Sequence, residues 1–123
     1  MKQSAGESNG HRWYTRPVLF VGDVRRSVDF YVGKLGFEKR WHEADGKGGV
    51  CQVDRAGCEI ILCEAAGHEP GRLYVELTRE GLDQLLRETG ERSVPAEKSW
   101  WGSEVIRVVD PDGNELLFPL SSP

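Results

Sequence analysis

No stretch of the chain approaches the ~20 consecutive apolar residues that a membrane-crossing helix needs, and no secretory-type apolar segment follows Met1. A soluble, cytoplasmic protein with no membrane partner is the expectation. Cysteine is scarce: Cys51, Cys58 and Cys63 are odd in number and form no Cys-x-x-Cys pair, which disfavours both a disulfide framework and a thiolate zinc site. They read as reduced, small core residues. Positive charge is also in deficit, with 16 Lys and Arg against 20 Asp and Glu for a formal net charge of −4. That balance argues against a nucleic-acid backbone as partner and mildly favours a cationic one. Histidine is rarer still: His11 falls in the polar start, and His42 and His68 read as solvated side chains. Neither Ser99 nor Ser103 can be set beside a histidine and its orienting carboxylate from spacing, so nucleophilic catalysis has little support.

What the chain does have is organised toward its end. The β-branched run Val105–Val109 meets Asp110-Pro111-Asp112-Gly113-Asn114 and resumes as Leu116-Leu117-Phe118, the pattern of a hairpin closed by a proline-preset turn and a glycine tolerant of positive φ. Upstream, residues 1–15 are polar and aperiodic and read as a mobile segment, despite Trp13 and Tyr14. A single domain over 16–120 is expected after it. Pro17–Val21 reads as a strand. Asp23 then caps a helix whose Val24, Val28, Tyr31 and Leu35 share one face, with Gly36 closing it. Strands are expected at Phe37–Glu43, Gly49–Arg55 and Cys58–Glu64, with turns at 44–48 and 56–57. The same order then returns: a strand over Leu73–Leu77, a helix opened by Thr78 or Glu80 and ended by Gly90, a short strand near Arg92–Glu97, and the closing hairpin. The expected fold is α+β, two βαβββ units over about 16–64 and 72–118, whose sheets curl around a cleft.

The strand at Pro17, the helix ending in Phe30-Tyr31, Leu35-Gly36-Phe37, Trp101-Gly102 and Asp110-Pro111-Asp112-Gly113-Asn114 together resemble the glyoxalase, bleomycin-resistance and extradiol-dioxygenase superfamily, also called vicinal oxygen chelate. The resemblance runs from Arg16 to Phe118. Enzymes of that superfamily hold a divalent metal through side chains of the first, fourth, fifth and eighth strands. The matching places here are Arg16, Leu62, the Arg72–Tyr74 region and Leu117. None offers an imidazole or carboxylate, whereas such a cation needs several converging N or O ligands. The resemblance therefore implies the metal-free bleomycin-resistance branch, with no cofactor and no catalytic residue.

It further implies an aromatic groove. Trp41 and the tryptophan of the Trp101-Gly102 pair would stack on a planar group, with Glu43, Glu59 and Glu64 as counter-charges for a cation. Trp101 is the better stacker, because polar residues flank it, and in an extended segment Trp100 would point the other way. The candidate ligand-binding set is Trp41, Glu43, Gln52, Tyr74, Trp100 and Trp101. Two-fold homodimers with an arm exchanged at a proline are implied as well, which makes Pro17 the candidate hinge. The expected function is non-catalytic sequestration of a small, cationic, partly planar molecule of the bleomycin type. Competing readings are a binding module for an unknown metabolite, and a metal-dependent lyase or dioxygenase using His42, Glu64 and Glu76.

Overall fold

The computed structural model describes residues 12–45, 48–101 and 103–120. The elements are β1 (Val18–Val21), α1 (Val24–Gly33), β2 (Glu38–Asp45), β3 (Gly48–Arg55), β4 (Cys58–Glu64), β5 (Arg72–Tyr74), α2 (Arg79–Glu91), β6 (Glu97–Trp101), β7 (Ser103–Val109) and β8 (Glu115–Pro119). They form two four-stranded mixed sheets, ordered β1-β4-β3-β2 and β5-β8-β7-β6. In each the unit's first strand runs parallel to its last, and the other neighbours are antiparallel. The duplication expected from element order is thus a duplication of topology, and neither sheet closes on itself.

Local chemistry explains the boundaries. The Asp23 side chain accepts from the backbone N–H groups of Arg25 and Arg26, satisfying two donors of the first turn of α1. Glu64, at the end of β4, accepts from Val24 N at 3.1 Å, which welds that turn to the sheet. Gly36, at φ +73, reverses the chain after α1 so that Phe37 N reaches Tyr31 O. Thr78 caps α2 by accepting from Gly81 N. This second helix runs past Gly90, the expected stop, because Ser93 makes the left-handed turn at φ +57 and Val94 N returns to Thr89 O. Residues 92–94 therefore finish the helix, and the strand expected there begins at Glu97, so that Trp100 and Trp101 fall within β6. β5 is shorter than expected: it pairs with β8 through Tyr74, and beyond Val75 the chain leaves for α2.

One contiguous core joins the units. Leu19, Val21, Cys51, Val53, Ile60 and Leu62 bury the face of the first sheet that carries α1. Ile106, Val108, Leu116 and Phe118 do the same in the second sheet, alongside Leu82 and Leu85 of α2. The helices sit differently: α1 lies close on β2, β3 and β4, whereas α2 approaches no strand as closely.

The Asp110–Asn114 turn ties the two units together. Asp110 Oδ1 accepts from Asp112 N and Asn114 N, while Oδ2 accepts from Asn114 Nδ2 at 3.0 Å and from the fully buried Tyr31 hydroxyl at 2.9 Å. Burial, then the charge and hydrogen bond of Asp110, push the Tyr31 phenol well above its ordinary range. Asn114 also donates to Phe20 O and accepts from Gly71 N. Asp112 receives Gly22 N, Arg26 and Ser27. The turn read from sequence as a hairpin closure is thus also the clasp on α1 and β1.

Candidate functional site

The face of the first sheet turned away from α1 carries a polar network centred on Gln52. Its Oε1 accepts from Arg16 Nη1 at 2.6 Å and Trp41 Nε1 at 3.0 Å, and its Nε2 donates to Asp54 Oδ1 at 2.8 Å and Glu59 Oε1 at 3.1 Å. The amide is only 5 % exposed, and both of its ends are satisfied, as a buried amide requires. Tyr14 donates its hydroxyl to Glu59, and the Arg16 guanidinium lies over the Tyr14 ring at 5.5 Å. Arg40 pairs with the other oxygen of Asp54 at 3.2 Å.

Trp41 reaches this network through an irregularity in β2. Glu38 and Lys39 pair with Asp54 and Val53, but Trp41, not Arg40, pairs with Gln52. One extra residue on one strand exchanges the faces of everything beyond it. Without the bulge at Arg40, position 41 would pair with Cys51, on the face covered by α1. Alternation then places Glu43 on the same face as Trp41.

Of the expected ligand-binding residues, the structure therefore brings together Trp41, Glu43 and Gln52. It does not bring Trp100 to them within one chain, whereas Tyr74 lines a cleft together with Glu59, the hydrogen-bond partner of Gln52. Tyr74 lies on β5 in the second sheet, in register with Leu117, and Trp100 lies on that sheet's edge strand β6, paired with Glu104 and largely exposed. The Trp101 backbone pairs with Ser103, and its side chain, like Gly102, lies outside the described residues. Glu64 is not a counter-charge on this face. It accepts from Val24 N and Gly49 N on the opposite side. Asp54 and Tyr14 went unread in the sequence, Asp54 as an ordinary strand residue and Tyr14 as part of a mobile segment that otherwise lies mostly outside the described residues. His68, read as solvated, is exposed but stacks on Phe20 with ring centroids 3.9 Å apart. Pro17 precedes β1, and its carbonyl accepts from Ile61 N.

The residues at the superfamily's metal positions do not fit a metal. Leu62 is fully buried opposite Leu19 on the helix side, so the fourth-strand position was read one residue out of register, and Glu59, Ile61 and Cys63 occupy the open face of β4. Leu117 is apolar and buried, and Glu115 on the same strand is held by Arg107 at 2.6 Å and Arg72 at 2.7 Å. Hydrogen bonds from Arg107 and Arg72 keep the Glu115 carboxyl below the usual carboxylate range. His42, Glu64 and Glu76 do not converge. Among the described residues no three His, Cys, Asp or Glu side chains form a group that could hold a metal ion. Cys51 and Cys58 are not primed thiols, since burial pushes both up, the latter with help from Asp54.

Two βαβββ units, each with its first strand paired parallel to its last, make the glyoxalase and bleomycin-resistance fold. The chain belongs to the glyoxalase superfamily: the family model described as "Glyoxalase superfamily protein" matches residues 3–121. A bleomycin resistance protein of Geobacillus stearothermophilus is 25% identical over 121 residues, covering 83% of this chain and 92% of that protein. Among solved structures, the bleomycin-binding protein of Streptomyces verticillus complexed with copper(II)-bleomycin superimposes with a TM-score of 0.70 at 23% identity, over 91% of this chain and 98% of that one. The fosfomycin resistance protein FosX of Listeria monocytogenes, complexed with Mn(II), gives a TM-score of 0.69 at 14% identity, over 89% and 93%. The fold is thus shared by a binder of an antibiotic and by a metal-bound protein, and only the site can separate them.

Proposed function

We propose that the chain sequesters a small, cationic and partly planar molecule on the open face of its first sheet, with a bleomycin-type antibiotic as the leading candidate. The observation that carries this reading is the Gln52 network. It holds a tryptophan edge and two carboxylates, Asp54 and Glu59, on one surface beside Glu43. A flat ring system would lie on Trp41, with stacking adding ~0.5–1.5 kcal/mol beyond the area buried, while Glu43 and Glu59 receive a positive group, Asp54 being already paired with Arg40. Homology to bleomycin resistance proteins supports the same ligand class. No bond need be made or broken: protein in excess of ligand lowers free ligand whenever Kd lies well below the working concentration. We further propose a cytoplasmic homodimer, in which a second copy would supply the aromatic residues that one chain places on its other sheet, Tyr74 and Trp100. A monomer in sedimentation at micromolar concentration would remove that part.

The test is a tryptophan-fluorescence titration with metal-free and copper-loaded bleomycin. Saturable quenching is expected, with affinity falling more than about tenfold, or ~1.4 kcal/mol, in Trp41→Ala. Unchanged affinity in that variant would move the site elsewhere. No response up to high micromolar drug would refute the antibiotic as ligand and leave a metabolite of similar chemistry.

A further inference from the structure

A cleft of about 570 Å3 lies between the two units and borders the Gln52 face at Glu59. Its walls are Leu35 and Phe37 from the first unit and Leu73, Val75, Leu85 and Phe118 from the second. It exists because α2 stands off the sheets where α1 does not, so the space under the second helix is incompletely filled. Close-packed interiors rarely leave such a volume, and its size falls within the ~300–1,000 Å3 typical of small-molecule sites.

The polar groups at the mouth are unequal in charge. Arg55 lines the cleft but is consumed by Glu88, at 2.9 Å and 3.3 Å, and by the Leu35 carbonyl at 2.7 Å. Glu59 also lines it and accepts only from the neutral donors Tyr14 and Gln52 among the bonds described. Glu76, exposed at the rim, has no ion pair among the described residues. The net field is therefore negative over an apolar interior. The segment before β1 runs along the border between the two surfaces: Thr15 and Pro17 line the cleft while Tyr14 and Arg16 turn to Glu59 and Gln52, the two-residue alternation of an extended chain.

We propose that this inter-unit cleft is a second binding site, adjoining the Trp41 face at Glu59, for a small organic cation with an apolar body the size of one or two fused rings. The body would replace the missing side-chain contacts beneath α2, and the charge would sit between Glu76 and Glu59. The site shares Glu59 with the face proposed above, but neither Trp41 nor Asp54 lines it, so loss of Trp41 distinguishes the two.

A matched pair of probes tests this: 1-naphthylmethylammonium and 1-naphthoate, which present one ring system with opposite charges. Calorimetric titration of the full chain at neutral pH is expected to show saturable binding of the cation at one per chain, at least tenfold tighter than the anion. Glu76→Gln should weaken the cation severalfold and leave the anion unimproved or slightly tighter. Val75→Trp, which fills the cleft, should abolish binding of both, and because that variant could fail to fold, Glu76→Gln alone decides the charge argument. Trp41→Ala should leave the cation's affinity unchanged. Absence of saturable binding, equal affinity for the two probes, insensitivity to Glu76→Gln, or loss of cation binding in Trp41→Ala would each overturn the proposal, the last by placing the probe on the sheet face.

Discussion

Removing the Tyr31 hydroxyl tests the clasp between the two units. In Tyr31→Phe the ring and its packing remain, including the edge contacts with Phe30 and Phe37. What disappears is one hydrogen bond, 2.9 Å long, to a buried carboxylate. Bonds to charged groups contribute ~1.5–3 kcal/mol. Asp110 Oδ2 keeps Asn114 Nδ2, so the lower half of that range applies, about 1.5–2 kcal/mol, which for a domain of this size lowers Tm by roughly 5–10 °C. Alkali adds a second, independent signature. The folded phenol holds its proton above its ordinary value of 10.0, because of burial and Asp110, whereas the unfolded phenol releases it there. Unfolding therefore releases a proton above that pH, and stability present below it falls by ~1.4 kcal/mol per pH unit as pH rises. Tyr31→Phe should lack this slope. Urea melts of both proteins at pH 8, 10 and 11 measure the difference, and lysine, cysteine and the other tyrosines cancel between them. The wild-type advantage should shrink from pH 8 to pH 11. A constant offset across the three would show that Tyr31 ionises normally and that the clasp is not as buried as described.

Other elements make equally direct predictions. Asn114→Ala strips the turn of its bonds to Phe20 O, Gly71 N and Asp110 at a fully buried position. A loss of ~2–4 kcal/mol is expected by calorimetry, and less than ~1 kcal/mol would mean that the turn does not couple the units. Arg107→Met removes the first cause of the low Glu115 pKa, so carbon-detected NMR should show that carboxyl titrating nearer its ordinary value. Because a depressed carboxylate stabilises above its unfolded pKa and loses that contribution as pH falls through the folded one, the variant's acid unfolding should also be less steep below about pH 4.5.

Much of the architecture could be read from local patterns, because local chemistry decides it. The bounds Cys58–Glu64 were legible, since the Ala56-Gly57 turn fixes where the strand starts. Asp23 and Thr78 cap as their residue types dictate. Where reading from sequence failed, a contact distant in the chain or a single unpaired residue decided the outcome. Trp41 could have faced either side of β2, and only the bulge at Arg40, invisible to a period-two pattern, turns it toward Gln52. Leu62 was misplaced for the mirror-image reason, a one-residue slip that exchanges core for open face. Tyr14 reads as the end of a loose segment and Arg16 only as the place of a superfamily metal ligand, yet their partners Glu59 and Gln52 lie 45 and 36 residues further on. Gly90 reads as the end of the second helix, whereas Ser93, at φ +57, makes the turn.

The clasp has a consequence for the order in which the molecule can mature. Tyr31 meets Asp110 across 79 residues, and Phe20 meets Asn114 across 94. As the chain leaves the ribosome, the first unit can form its sheet and helix while its phenol and the Phe20 carbonyl still lack their partners. Both wait for nearly the last hairpin to be made. Contacts of such separation carry a large loop-closure cost and slow the final step. Until that hairpin forms, β1, an edge strand in the finished sheet as well, also lacks the Asn114 side chain that caps its Phe20 carbonyl, and an edge left bare in this way is the kind of surface a neighbouring nascent copy can capture. A chain that stops before Asp110 would remain in that state.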